Sequence, residues 1–344
     1  MISLRKLADI SDVSVATVSK ALRDDPRITP EVRVRIKRIA REHHYRPNHR
    51  VRGVVEGRTR QVGILMSDIG REPLSQQVSA LVDALERRGF AALVYNTHND
   101  RQKEASLFHN AVGFRVSGLI MLPHDLAATE PHFKELRQNR IPFVVLSEHA
   151  ASVDAPHVRG DDEPAAEALV DHLWSHGHRR IGCIVPETAA GLLRRADGYR
   201  AALRRHGIDP DERLVVAPGW RAEDGATAMA RLLDLPNRPT AVLAASDELA
   251  AGAMKAAHER GVSVPGELSV TGFGNARFAS WLSPSLTTVE NRGADIADAA
   301  CRVLEELLDL PALTDLPPHL SEVVVPRGLV LRDSVAAANA SDHL

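Results

Sequence analysis

Apolar residues recur at helical spacing in three short stretches near the start of the chain. The stretches cover residues 4–10, 15–22 and 32–40, and their apolar positions follow an i, i+3, i+4 pattern that places them on one face of a helix. Ser14 is suited to cap the second helix, and Pro30 to open the third. Three short helices with a three-residue turn between the first two predict a helix-turn-helix domain, whose second helix is thin enough to enter the major groove of DNA.

Beyond residue 60 the pattern changes to short apolar runs that alternate with amphipathic helical stretches. The runs at 62–66, 91–95 and 118–122 are typical of buried strands, and 73–88 has helical periodicity. Such alternation predicts parallel sheets with helices on both faces. The segment is too long for one sheet and divides into two similar halves near residue 160. The predicted fold class is therefore α plus α/β, a three-helix helix-turn-helix domain followed by two doubly wound parallel-sheet lobes.

Polar residues follow the predicted strands at the points where the strands end. In open parallel sheets, ligands bind beyond the carboxyl ends of the strands. In this chain those ends carry Ser67, Asp68, Asn96, Ser147, Asp161, Trp220, Ser246, Asp247, Gly274 and Asn275. Two facing lobes would place these residues around one cleft, which would suit a small polar ligand that stacks on one aromatic ring.

Charge is divided unevenly along the chain. Residues 1–60 contain 15 Lys and Arg against 7 Asp and Glu, whereas the remaining residues contain 28 against 38. The first segment therefore carries a net charge of +8 and the rest a net charge of −10. One interpretation is solvated surface charge, but a basic domain on an acidic body favours binding to a polyanion such as DNA.

Composition narrows the class of protein further. With 44% apolar and 26% charged residues, the chain resembles ordinary globular proteins, and no apolar run approaches the roughly 18 residues of a membrane span. The first residues lack the apolar core of a signal peptide. Cys183 and Cys301 match no zinc or redox spacing. We therefore expect a cytoplasmic protein with reduced thiols and no membrane association.

Motifs for catalysis or metal binding are not found in the sequence. There is no P-loop, no G-x-S-x-G and no G-x-G-x-x-G after a predicted strand. His172 and His176 have the i, i+4 spacing of metal ligands on a helix, with His178 nearby, but no cysteine or carboxylate clearly completes a site. We therefore expect no enzymatic activity, no cofactor and no metal.

The basic segment resembles a known family of DNA-binding proteins. The strings LADISDVSVATVSKAL, ITPEVRVRIKRIA and YRPN are similar to the N-terminal domain and hinge of the lactose/galactose repressor (LacI/GalR) family. The resemblance implies that side chains of the second helix contact bases and phosphates, and that the hinge inserts an apolar side chain into the minor groove. The DNA-contacting residues that it implies are Ser14, Val15, Ala16, Thr17, Ser19, Lys20, Asn48, Arg50 and Val54.

Two features of this segment differ from the family pattern. Ser11 and Asp12 stand where the family usually has alanine and glycine, and Val54, preceded by Gly53, stands where it usually has a leucine flanked by helix formers. Glycine costs about 1 kcal/mol in a helix, and valine is a shorter side chain than leucine. We therefore expect a weaker hinge helix.

The resemblance continues through the body in the strings HLWSHGHRRIGCI, RRADGYRAALRRHGI and PSLTTVE. It implies two lobes like those of periplasmic sugar-binding proteins, joined by three chain crossovers, which we expect near residues 160, 290 and 320. The expected domains are a helix-turn-helix domain at 1–46, a hinge at 47–60, an effector-binding and dimerisation domain at 61–333 and a disordered tail at 334–344. The expected N-terminal lobe comprises 61–160 and 291–319, and the C-terminal lobe 161–290 and 320–332.

The resemblance and the strand ends together indicate an effector site. Arg195 matches the family's most persistent effector-binding residue. The expected effector-binding residues are Ser67, Ser147, Asp161, Gly191, Arg195, Trp220, Ser246, Asp247, Gly274, Asn275 and Asn291. Gly274 replaces an aspartate that grips sugar hydroxyls in the family. The effector is thus not expected to be an ordinary hexose bound in the usual way, and a modified sugar, a more anionic ligand or no effector remain open.

These observations lead to one hypothesis and two alternatives. The hypothesis is a homodimeric transcription repressor that binds a near-palindromic double-stranded operator, with an affinity controlled by a small molecule, a sugar or sugar derivative, between the lobes. The small molecule could act as inducer or corepressor. The alternatives are a cytoplasmic solute-binding protein and an α/β enzyme with an accessory head. A turnover assay against candidate ligands would distinguish the enzyme from the other two.

Overall fold

The chain forms two compact units, residues 1–60 (the head) and residues 61–344 (the body). The computed structural model describes residues 2–22, 24–45, 59–123, 125–147, 154–186, 190–217, 219–311, 313 and 316–338. Each unit has its own apolar core.

The head contains the three predicted helices. They are α1 (Leu4–Ser11), α2 (Val15–Leu22) and α3 (Pro30–Glu42). Their apolar faces meet in one small core, in which the buried side chains are Leu7, Ala8, Val18, Ala21, Ile36 and Ala40. The helical periodicity of the sequence therefore identified the face of each helix that packs inward.

The turn after α1 contains the first departure from the family pattern. Asp12 adopts a left-handed conformation with φ 51° and ψ 46°, and its N–H donates to the carbonyls of Ala8 and Asp9. Glycine reaches this conformation without a steric penalty, and aspartate is among the few other residues that adopt it routinely. The chain therefore keeps a left-handed turn here with an aspartate.

The N-terminal lobe of the body is built on a parallel sheet of six strands. In sheet order the strands are Glu322–Val325 (β11), His157–Gly160 (β5), Phe143–Leu146 (β4), Gly118–Leu122 (β3), Gln61–Met66 (β1) and Ala91–Asn96 (β2). The helices of this lobe are α4 (Glu72–Arg87), α5 (Arg101–Gly113), α6 (Leu126–Thr129), α7 (Pro131–Gln138), α12 (Gly293–Asp309) and α13 (Pro318–Ser321). Separate apolar clusters cover the two faces of the sheet, as expected for strands buried on both sides.

The C-terminal lobe is built on a parallel sheet of four strands. In sheet order these are Val215–Val216 (β7), Ile181–Ile184 (β6), Ala241–Ala244 (β8) and Ser269–Thr271 (β9). Its helices are α8 (Asp162–Ser175), α9 (Ala190–Arg205), α10 (Ala222–Leu233) and α11 (Asp247–Glu259). A Cβ on Gly225 or Gly252 would overlap the backbone of the facing helix, so these glycines allow α10 and α11 to pack closely. A two-stranded antiparallel ribbon, Thr288–Val289 (β10) with Leu329–Val330 (β12), completes the lobe.

The chain crosses between the lobes three times, and the third crossover lies further along than the sequence indicated. The expected position was near residue 320, which assigned residues 320–332 to the C-terminal lobe. In the structure Glu322–Val325 pairs in register with His157–Gly160, inside the sheet of the N-terminal lobe. The crossover therefore follows Val325. A single edge strand that returns from so far along the sequence has no local signal that reveals its sheet partner.

Arg327, on this third crossover, contacts the other two. Its backbone N–H donates to Asp161 Oδ1 (2.6 Å), and its guanidinium Nη1 donates to Asn291 Oδ1 (2.6 Å) and to the Asn291 carbonyl (2.8 Å). Its Nε lies 2.5 Å from Oδ1 of the fully buried Asp162, as an ion pair rather than an aligned hydrogen bond. A Cβ on Gly160 would overlap the same guanidinium. One side chain therefore joins all three connections between the lobes.

The prediction of a disordered tail at 334–344 is wrong for residues 334–338. Ser334 Oγ donates to the carbonyl of Val270 (2.6 Å) and accepts from the N–H of Thr287 (2.9 Å). Further along, Ala338 N–H donates to the carbonyl of His176 (2.8 Å). Hydrogen bonds of a serine hydroxyl and of backbone groups do not depend on apolar side chains, so the small polar composition of the tail gave no sign of them. Residues 339–344 lie outside the described residues.

Replacing Ser334 tests whether the tail stabilises the body. Ser334→Ala removes a fully buried hydroxyl and leaves the Thr287 N–H and the Val270 carbonyl without it, so we expect the free energy of unfolding to fall by about 1–3 kcal/mol. Urea unfolding followed by circular dichroism measures the change. The control is Ser106→Ala, which removes a hydroxyl bonded only to Gln102 on an exposed helix. Equal stability of both variants would contradict a docked tail.

Replacing Arg327 tests the joint between the lobes. Arg327→Met keeps much of the side-chain length but leaves Asp162 with one cationic partner fewer, and removal of one member of a buried ion pair costs about 3–5 kcal/mol. We expect a lower urea midpoint for the body, with Arg302→Met, on an exposed position of α12, as the matched control. In the double variant Arg327→Met with Asp162→Asn, we expect a loss smaller than the sum of the two single losses, because both remove one interaction. Strict additivity would argue against this pairing.

Candidate effector cleft and DNA-binding helix

A cleft lies between the two lobes of the body, at the carboxyl ends of the strands. It has about 480 Å³ of empty space, part of which is open solvent. Its walls come from both lobes. Those of the N-terminal lobe are Arg71, Glu72, Pro73 and Gln76, and those of the C-terminal lobe are Trp220, Ser246, Asp247, Glu248, Phe273, Gly274, Ala276 and Phe278. The position agrees with the general rule for ligands of open parallel sheets.

Side chains of the N-terminal lobe reach across the cleft to the C-terminal lobe. The Arg71 guanidinium lies 4.2 Å from the centroid of the Trp220 ring. Glu72 Oε1 accepts a hydrogen bond from Gln76 (2.8 Å) and a longer one from the backbone N–H of Arg277 (3.4 Å). Burial lowers the pKa of Arg71, and the nearby charges of Glu248 and Asp68 act in the opposite direction. The cleft is therefore bridged by a cation that has lost part of its hydration.

Asp247, at the start of α11, is a buried carboxylate whose oxygens are already engaged. Its Oδ1 accepts from the Thr288 hydroxyl (2.5 Å) and its Oδ2 accepts from the N–H of Ala276 (2.5 Å). Burial raises the pKa of Asp247, while these two hydrogen bonds and the charges of Arg195 and Arg332 lower it. Asp247 therefore holds the loop that forms one wall of the cleft.

Gly274 has a backbone conformation in which an aspartate would be strained. Its φ of +127° is one that residues with a side chain rarely adopt, and a Cβ there would lie 3.6 Å from Asp247 Oδ2. An aspartate would be strained and would place a second carboxylate beside the first. The next residue, Asn275, does not replace it, because its Oδ1 accepts from Arg332 Nη2 (2.6 Å) and the residue is not part of the cleft wall.

Arg195, on α9, belongs to the same charge network as Arg327. Its Nε donates to Asp162 Oδ2 (2.7 Å), and its Nη1 donates to the carbonyl of Ala245. Its guanidinium lies 3.7 Å from the centroid of Phe273, a residue of the cleft wall. Arg195 therefore connects the wall of the cleft, through Asp162, to the crossovers.

The predicted effector residues fall into three groups. Trp220, Ser246, Asp247 and Gly274 line the cleft. Asp161, Arg195 and Asn291 take part in the network of Asp162 and Arg327. Three others are not on the cleft wall: Ser67 is buried, Ser147 is half-buried and Asn275 contacts Arg332. Gly191 lies in the first turn of α9.

Sequence reasoning missed several residues of the wall and of the network. Arg71 and Gln76 lie five and ten residues beyond the end of β1, whereas the predicted residues lie directly at the strand ends. Phe273 immediately precedes Gly274 and could have been included with it. Asp162 is the second acid of the pair that opens α8, and the arginines 33 and 165 residues away gave no sign of their contact with it.

The second helix of the head presents the residues expected to contact DNA. Val15 and Ala16 are exposed, whereas Val18 and Ala21 are buried. Ser14 Oγ accepts from the N–H of Thr17 (3.0 Å), which caps the start of the helix. Ser19 and Lys20 are half-buried. Asn48, Arg50 and Val54 lie outside the described residues, and so does Gly53.

The described residues contain no group of three His, Cys, Asp or Glu side chains that could hold a metal ion. His176 and His178 contact the tail instead, through the His176 carbonyl and through His178 Nε2, which lies 3.0 Å from the carbonyl of Ala336. Both cysteines are buried and unpaired, and burial raises the pKa of Cys183 to about 12 and that of Cys301 to about 11. None of the helices in the described ranges has the length and apolar character that crossing a membrane requires.

Comparison with known proteins agrees with this architecture. Residues 3–48 match the family described as bacterial regulatory proteins, lacI family, and residues 170–335 match the periplasmic binding protein-like domain. The repressor CytR of Escherichia coli (strain K12) is 31% identical over 307 residues, which is 88% of this chain and 88% of CytR.

Solved structures match over nearly the whole chain. A complex of the transcriptional regulator CelR with cellobiose is 25% identical, with a TM-score of 0.71, over 97% of this chain and 100% of that one. A lac repressor dimer bound to operator and an anti-inducer is 24% identical, with a TM-score of 0.83, over 98% and 99%, and shows the fold alone. The chain belongs to the lacI family of bacterial regulatory proteins, and it is a transcriptional regulator rather than an enzyme.

Proposed function

We propose that this regulator is a repressor whose affinity for operator DNA is controlled by a small molecule bound in the cleft between the lobes. The observation that carries the proposal is the continuous set of contacts from the cleft wall to the crossovers. Phe273 lines the cleft and stacks on Arg195, which pairs with Asp162, and Asp162 pairs with Arg327. A ligand against this wall acts on the residues that join the lobes.

Control of DNA binding follows from linkage. A ligand that binds one lobe orientation more tightly than another shifts the population toward that orientation, and by no more than the difference in its two affinities. If the operator-bound protein prefers one orientation, the ligand changes operator affinity by the same factor by which DNA changes ligand affinity. An inducer and a corepressor differ only in which orientation they favour.

The DNA partner is a near-palindromic operator bound by a homodimer. The head has a net positive charge, whereas the body has a net negative one. Helix α2 of the head exposes Val15 and Ala16. Two-fold symmetry of a dimer requires two related half-sites. The lac repressor structure, which contains a dimer bound to operator, supports this assembly by analogy.

The proposed ligand is a sugar or a sugar derivative. The cleft combines the aromatic rings of Trp220, Phe273 and Phe278 with polar groups from both lobes, and the related regulator CelR was solved with cellobiose. Gly274 removes one acceptor for sugar hydroxyls.

The test is operator binding with and without ligands. Double-stranded fragments that cover the genome of the source organism are selected with the purified full chain, and the affinity of the best fragment is measured by fluorescence anisotropy. A panel of sugars and sugar derivatives is then added. We expect nanomolar binding of at least one fragment and a change in affinity with at least one ligand. Binding of ligands without binding of any fragment would favour a solute-binding protein instead.

Recognition by α2 predicts a change of operator preference. Exchanging Val15 and Ala16 for other side chains is expected to change the preferred base pairs, because side chains at the start of a recognition helix touch base edges. Selection from a randomised operator library measures the preference. Lys37→Gln is the control, since Lys37 lies on α3 and pairs with Asp24 (2.5 Å). The same preferred sequence for all variants would refute this role of α2.

Phosphate contacts by the basic head predict a steep dependence on salt. Each neutralised phosphate of duplex DNA contributes a slope of about −0.9 to a plot of log K against log salt concentration. We expect a slope several times this value, measured by anisotropy between low and physiological salt. An affinity that does not change with salt would contradict binding through phosphates.

A further inference from the structure

The cleft contains a cation that lies over an aromatic ring and forms no ion pair within the described residues. In the described parts of the chain, no carboxylate forms an ion pair with Arg71, whose guanidinium lies over the face of the Trp220 ring, and the charges of Glu248 and Asp68 act on it from further away. By contrast, Arg195 and Arg327 both pair with the buried Asp162. The three arginines therefore differ in what they can still bind, and Arg71 is the one that lines the cleft.

Stacking on Trp220 leaves the hydrogen-bonding edge of Arg71 available. A guanidinium is planar, and its five N–H donors lie in the plane, so a ring below the plane does not use them. Two parallel N–H donors match a carboxylate or a phosphate. Burial also lowers the pKa of Arg71, while the charges of Glu248 and Asp68 raise it, and a bound anion would act in the same direction as these charges.

The acids near Arg71 are engaged in part by other groups, and none forms an ion pair with it in the described parts of the chain. Asp247 accepts from Thr288 and Ala276, and Glu72 accepts from Gln76 and the backbone of Arg277. Gly274 has no side chain and adds no acid to the wall. Glu248, at an exposed position of the wall, and Asp68 act on Arg71 through their charges. The wall of the cleft therefore contains an arginine that lies over an aromatic ring and has donors available to a ligand.

We propose that Arg71 binds an anionic group of the effector, so that the effector is an acidic sugar derivative, with a carboxylate or a phosphate, rather than a neutral sugar. The inference rests on the proposed function in one respect, that the effector occupies this cleft. Arg71 belongs to the N-terminal lobe and Trp220 to the C-terminal lobe. An anion held by the stacked pair therefore also ties the two lobes together.

The experiment compares matched acidic and neutral sugars at constant ionic strength. The probes are glucuronate, gluconate and glucose 6-phosphate with glucose as their neutral counterpart, and the same set in the galactose series. Thermal shift identifies binders, because a ligand that binds only the folded protein raises the midpoint. Titration calorimetry then gives the Kd. Comparison of the acids with the phosphate esters separates the two sources of negative charge.

Arg71→Gln identifies the residue that carries the preference. We expect at least one acidic probe to stabilise the wild-type protein more than its neutral counterpart, and Arg71→Gln to raise the Kd of that probe by about 10- to 100-fold, the effect of losing charge-assisted hydrogen bonds. Arg302→Gln makes the same charge change at an exposed position of the same lobe and is expected to leave the Kd unchanged.

Three results would overturn the inference. They are stabilisation by neutral sugars only, no stabilisation by any acidic probe, and a Kd for an acidic probe that Arg71→Gln does not change. The operator selection described above, made with the same wild-type preparation, tests the proposed function separately. Operator binding controlled by a neutral sugar would preserve the proposed function and contradict the role of Arg71.

Discussion

The arrangement of the body depends on one buried charge. Asp162 has no exposed surface and lies between Arg195, 2.7 Å away, and Arg327, 2.5 Å away. A carboxylate removed from water costs several kcal/mol unless cations and hydrogen bonds compensate it. Because the two arginines come from α9 and from the third crossover, the need to pair Asp162 brings these distant segments together and holds them beside the cleft.

The same constraint engages a residue that the sequence suggested for effector binding. Arg195 was expected to bind the effector, but its guanidinium is engaged by Asp162, by the Ala245 carbonyl and by the face of Phe273. Its contacts with Phe273, a residue of the cleft wall, and with Asp162 suit a residue that links the cleft to the crossovers. Arg71, stacked on Trp220 from the opposite lobe, is better placed to meet the ligand itself.

Local patterns predicted much of the fold. The periodicities of 3.6 and 2 residues identified the three helices of the head and the alternating strands and helices of the body, because they depend only on which side chains face a core. They missed the short strands β5, β10, β11 and β12 and the docking of residues 334–338. In β11 and in the tail, the chain pairs through backbone groups with segments far away in sequence. For the cleft, strand ends indicated Trp220, Ser246, Asp247 and Gly274 but not Arg71 or Phe273.

The sequence by itself determined the class of protein: a basic three-helix head, two α/β lobes and polar strand ends, since spacing and net charge are properties of the chain alone. Only the tertiary structure decided which charges are neutralised by partners and which remain available to a ligand. That choice depends on distances of a few ångströms between Asp162, Arg195 and Arg327, residues up to 165 positions apart, and on the burial that makes each pairing necessary.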